Sequence, residues 1–169
     1  MKMLSIALVC LPIAIRGQAS NSSDRYVKLH RLPTGQVAVV AEGDLEPRST
    51  GSYTVRIYSN QRPEFPVDDF ICGIVQARAG TVEDVLLADL DQDGLKELIV
   101  TIRSVGTGGY LSADAFRFRD SRLTNIGSVT DLPKNADCVQ ALTSTIKKTP
   151  NQTSDGSRQP ADGSPKPSR

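Results

Sequence analysis

Histidine is almost missing from this chain: His30 is the single imidazole in 169 residues. Nucleophilic catalysis of the Ser-His-Asp or Cys-His kind therefore has one candidate base. It lies between Leu29 and Arg31 in a strand pattern, where a histidine is ordinarily a strand residue. Cysteine is also scarce, with three in the chain, and two distant cysteines plus one histidine cannot supply the ligand spacing of a zinc site. An excess of either charge is lacking. Without Lys2 and Arg16, which lie in an apparent leader, 18 basic side chains face 19 acidic ones. That balance gives no footing for nucleic acid or an anionic membrane surface. Beyond Leu4 to Ile15 no long apolar run occurs, so no membrane span is expected.

What is present begins with that leader. Met1-Lys2-Met3 is a short basic start, Leu4 to Ile15 is an apolar stretch too short to cross a bilayer comfortably, and small residues follow at Gly17 and Ala19. This is the pattern of a secretory signal peptide over residues 1–19, with the mature chain starting at Ser20. Cys10 is not read as a lipid anchor, because Ala7-Leu8-Val9 lacks the small residue expected beside a lipidated cysteine. From about Thr149 the chain turns to Asn, Ser, Asp, Gly, Pro and Arg, and residues 149–169 read as a disordered tail. Residues 20–148 remain as one domain large enough for a core of its own.

Within that domain several segments alternate with the period of two that turns one strand face to a core. Tyr53, Val55 and Ile57 share one face and Thr54, Arg56 and Tyr58 the other; Phe116 and Phe118 alternate with Arg117 and Arg119. Leu29 to Leu32 and Val37 to Val40 read as a hairpin turning through Pro33-Thr34-Gly35. Val82 to Asp89 and Lys96 to Ser104 add two more strands. About eight short antiparallel strands, in an all-β sandwich or small barrel, are expected. Pro133 to Lys147 has only weak helical character, because Thr143, Thr145 and Ile146 are poor helix formers. The mature cysteines, Cys72 and Cys138, are expected to pair in an oxidising compartment, the alternative being two buried thiols.

Two loops carry chemistry. Asp89-Leu90-Asp91-Gln92-Asp93-Gly94-Leu95-Lys96-Glu97 spaces carboxylates as hard Ca²⁺ prefers, but Val100 stands where an EF-hand requires glutamate. Asp89, Asp91, Asp93 and Glu97 are thus either a calcium loop or an acidic turn whose side chains bond the backbone. The second loop, Ser104-Val105-Gly106-Thr107-Gly108-Gly109-Tyr110, lacks the Lys-Ser/Thr ending of a P-loop. Its glycines permit unusual backbone angles, and Ser104, Thr107 and Tyr110 carry hydroxyls. Tyr110 is either a binding key projecting from the loop or a ring packed back on the sheet. Nothing in these patterns demands an enzyme or an organic cofactor. Picking two carboxylates out of 19 as a glycosidase pair would prove nothing.

Three blocks in one order resemble the periplasmic inhibitors of invertebrate-type (i-type) lysozyme: Glu46 to Tyr58, the acidic loop Asp89 to Gly94, and Ser104 to Phe116. The resemblance spans residues 46–127. It implies an eight-stranded antiparallel β fold, a periplasmic location, i-type lysozyme as partner, and a Ser-Gly-x-Tyr loop that plugs the lysozyme cleft. Thr107-Gly108-Gly109-Tyr110 stands at that motif, with threonine keeping the hydroxyl and adding a methyl group. Arg117 and Arg119 are candidates for a secondary contact patch. A calcium-dependent β-rich adhesion or structural module is the alternative function. Nothing in the sequence decides between a monomer and a homodimer.

Overall fold

A computed structural model describes residues 25–148; the leader and the tail lie outside the described residues. Eight strands and one helix follow in order: β1 Val27–Arg31, β2 Val37–Glu42, β3 Gly51–Tyr58, β4 Phe70–Arg78, β5 Thr81–Ala88, β6 Glu97–Arg103, β7 Leu111–Arg119, β8 Arg122–Leu132 and α1 Cys138–Lys148. They form two four-stranded antiparallel sheets in sequential order, β1-β2-β3-β4 and β5-β6-β7-β8, joined by the short turn at Ala79-Gly80. The expected all-β architecture is thus a sandwich, not a closed barrel.

Alternation explains the first layer. Tyr53, Val55 and Ile57 of β3 are fully buried against the second sheet, with Ala38, Val40, Leu98, Val100, Ile102 and Phe116 in the same cluster. The Tyr53 ring meets Phe116 edge-on, and its hydroxyl donates to Asp114 at 2.6 Å. Burial and that carboxylate hold the phenol well above its ordinary pKa. β6 is buried on both faces, because its outward residue Ile99 enters a second core beneath α1 with Leu90, Leu111, Ala113, Ala115 and Leu142. Ala113, Ala115 and Gly127 keep that surface low; a methyl group at Gly127 would crowd Ile146 at 3.1 Å.

The helix exists despite its sequence. Asp137 caps it, accepting the Gln140 N–H at 3.0 Å. Thr143, Ser144 and Thr145 donate back to carbonyls one turn earlier, a habit that does not favour helices. Its stability therefore comes from Cys138, Leu142 and Ile146 packing on β7 and β8. The expected Cys72–Cys138 disulfide is not formed: both thiols are free. Cys72 lies on β4 against the core between the sheets, whereas Cys138 belongs to the core on the opposite face of the second sheet. Packed layers lie about 10 Å apart, while a disulfide needs Cα atoms within about 7 Å. Burial raises the pKa of both thiols.

Candidate binding site

Strand direction decides which loops meet. β2 ends at Glu42 and β3 begins at Gly51; Gly51 pairs with Arg78 at the end of β4; Thr81 pairs with Arg103; Arg103 pairs with Leu111. Loop 43–50, the turn at Ala79-Gly80 and loop 104–110 therefore share one end of the sandwich. The acidic loop after β5 lies at the other end.

Loop 104–110 closes on its own hydrogen bonds. Ser104 N–H donates to the Tyr110 carbonyl at 2.9 Å, extending the β6–β7 ladder, and Gly109 N–H donates to Gly106 O at 3.1 Å. The Ser104 hydroxyl accepts from Gly106 N–H at 3.3 Å, so it serves the loop's own turn. Gly109 has φ +55°, a left-handed conformation that favours glycine. Val105, Gly106, Thr107 and Gly108 are exposed at the tip.

Tyr110 is 53 % exposed and belongs to neither core cluster, which removes the alternative of a ring packed into the sheet. Its ring lies against Gly108, where a Cβ atom would fall 2.4 Å from Cε2. The ring's present position thus depends on Gly108 lacking a side chain, and the backbone angle favours glycine at Gly109. Tyr53, in the similar string that opens β3, is by contrast wholly buried.

Arg103 braces this loop, a role the sequence reading did not assign. Its Nη1 donates to Gly109 O at 2.9 Å and to Lys134 O at 3.4 Å, while Nε and Nη2 donate to Glu83 Oε1 at 2.9 and 2.7 Å. The available signal was an arginine ending an apolar strand directly before a glycine-rich loop. Glu42, buried at the end of β2, accepts the Val82 N–H at 2.6 Å and so ties the two sheets together at this same end.

Arg117 and Arg119, the candidates for a secondary contact, do not lie beside the loop. They lie near the far end of β7, and each is already paired. Arg117 bonds Glu97 at 3.0 Å and also Asp91, and Arg119 bonds Asp93 at 2.9 Å. The acidic side chains are likewise committed. Asp89 accepts the N–H groups of Gln92 and Gly94, Asp93 accepts that of Leu95, and Glu97 accepts that of Leu90. The Leu95 N–H leads the causes that lower the Asp93 pKa, with Arg119 and Arg117 adding to it. Asp89, Asp91 and Glu97 do converge closely enough to share a cation, but Asp93 stands outside that group. Two guanidinium groups supply the positive charge there, which favours the acidic-turn reading.

His30 is a strand residue. Its Nε2 lies 3.1 Å from the Tyr26 hydroxyl, and burial leads the effects that lower its pKa.

A glycine-rich loop raised from one end of a small sandwich, with Tyr110 half exposed where the loop rejoins β7, is the kind of surface by which a small domain binds another protein. Residues 24–146 match the model of the PliI family, periplasmic lysozyme inhibitors of I-type lysozyme, and the chain belongs to that family. It is similar to the crystal structure of the Aeromonas hydrophila periplasmic inhibitor of I-type lysozyme. The identity is 47 %, the TM-score is 0.65, and the match covers 69 % of this chain and 98 % of that one. It is equally similar to the A. hydrophila inhibitor in its complex with Meretrix lusoria lysozyme, at 47 % identity and a TM-score of 0.66, covering 74 % of this chain and 97 % of that one. Among curated proteins no significant match was found.

Proposed function

We propose that this protein inhibits i-type lysozyme in the periplasm by inserting loop 104–110 into the enzyme's active-site cleft. The observation that carries the reading is Tyr110, half exposed on a loop braced by Arg103 and closed by its own ladder bond. Lysozymes cleave with two carboxyl groups flanking the glycosidic bond. The hydroxyls of Thr107 and Tyr110 are the donors suited to them, and the ring fills space that a sugar would occupy. Because the loop is already ordered, little conformational entropy opposes docking. Inhibition is then competitive and needs no cofactor or metal. Family membership and a neighbour crystallised with an i-type lysozyme support this partner. The family's periplasmic location fits a leader cleaved after Ala19.

The test is a peptidoglycan turbidity assay with purified lysozymes of the invertebrate, chicken and goose types. Stoichiometric inhibition of the invertebrate type, relieved by raising substrate, is expected. Failure to inhibit it, or inhibition that substrate does not relieve, refutes the mechanism.

A further inference from the structure

We propose that the β2–β3 loop, residues 43–50, is a second contact with the same lysozyme, with Leu45 seated on the enzyme surface beside the cleft that receives Tyr110. This rests on the inhibitor reading and extends it. Loop 104–110 contributes seven residues, whereas a stable interface of standard size uses about 20–30 residues a side. Insertion of that loop alone leaves most of such an interface unaccounted for, so neighbouring surface at the same end must supply it.

Loop 43–50 is the neighbour built for the task. Arg78, 4 % exposed, spends its guanidinium on backbone: Nε donates to Ser52 O at 3.0 Å, Nη1 to Arg48 O at 3.0 Å and to Gly80 O, and Nη2 to Pro47 O at 3.1 Å. Glu46 turns inward, accepting the Ser52 hydroxyl at 2.7 Å and the Ser52 N–H, and Arg25 donates to its carbonyl. Its carboxylate fills the space that side chains at Gly43 and Gly51 would need. These bonds tie down residues 46–48, and Leu45 beside them is left 89 % exposed.

The two loops adjoin through Gly80. Its carbonyl shares the Arg78 Nη1 donor with Arg48 O, while a Cβ on it would strike Arg103 O and the Ser104 Cα. Leu45, Val105 and Tyr110 are thus three exposed large apolar side chains on adjoining loops, and loop 43–50 also exposes the polar Asp44, Arg48, Ser49 and Thr50. An apolar centre with a polar rim is the composition of a protein-binding surface.

Leu45→Asp and Tyr110→Ala, measured in parallel against an i-type lysozyme, test the proposal. Leu45→Asp is expected to raise the inhibition constant at least about tenfold with an unchanged melting temperature, because the residue touches no core. If Tyr110→Ala abolishes inhibition and Leu45→Asp leaves it intact, the second contact is refuted while the loop-insertion reading stands. If neither variant changes inhibition, both fail. Amide hydrogen exchange of the unaltered protein gives an independent check: residues 43–50 should gain protection when lysozyme is added, and unchanged exchange there overturns the proposal.

Discussion

Replacing Tyr110 by alanine separates a binding key from a structural ring. A tyrosine side chain presents about 200 Å², and with 53 % of the residue exposed roughly 100 Å² remains to be covered by a partner. At about 25 cal/mol per Å² that area is worth about 2.5 kcal/mol, and a hydroxyl bonded to a carboxylate adds to it. The expected loss is therefore about 2–4 kcal/mol, or roughly 30-fold to 1000-fold in the inhibition constant. Stability should fall by less than about 1 kcal/mol, since the covered half of the ring rests on loop backbone at Gly108 and not on either core. Tyr53→Ala is the matched control. That ring is wholly buried, and its loss should cost about 3–5 kcal/mol of stability. Turbidity inhibition and a melting curve on the same Tyr110→Ala preparation decide the matter. A large fall in melting temperature with inhibition retained would refute the reasoning.

Gly108→Ala should displace the Tyr110 ring and weaken inhibition with little change in melting temperature; an unchanged inhibition constant would show that the ring's resting place is irrelevant to binding. The Glu46 carboxyl titrates below its ordinary value of 4.5, chiefly through the Ser52 N–H and hydroxyl with Arg78 and Arg25 adding to it. Its contribution to loop order is therefore fully present above that pH and is lost as pH falls below it. An NMR titration of the Ser52 amide should show a midpoint under 4.5 that disappears in Glu46→Gln, and a midpoint at or above 4.5 would contradict the assigned bonds. Two thiols should titrate in denatured, unreduced mature protein, because Cys72 and Cys138 occupy separate cores. Millimolar Ca²⁺ added to chelator-treated protein should leave the melting temperature unchanged, since Arg117 and Arg119 already pair with Asp91, Glu97 and Asp93; a clear rise would show that the cation displaces them.

What was readable along the chain was local. The alternation of Tyr53, Val55 and Ile57 marks β3 because the strand period is two, and Pro33-Thr34-Gly35 marks the first hairpin because each residue suits a turn. Three sequence blocks in order sufficed to indicate the family, and Gly108-Gly109-Tyr110 pointed to a loop whose tyrosine had two open fates. β4 carries a glycine at its centre, Gly73, and β8 carries Asn125 and Gly127, so neither displays a clean alternation. The helix is legible only weakly, because its support is the apolar surface of β7 and β8, far from its own residues in propensity terms.

Everything that turned on partners distant in sequence waited for the tertiary structure. Register and sheet stacking place Tyr53 on Asp114, Arg117 on Asp91 and Glu97, and Arg78 on the carbonyls of Pro47 and Arg48. They also put the two cysteines on opposite faces of one sheet. A period of two states that a side chain faces inward, but the identity of what it meets depends on which strand lies opposite and in which register. That pairing is set by the whole core closing at once, and so only the folded sandwich could bring loops 43–50 and 104–110 to one end and leave the acidic loop at the other.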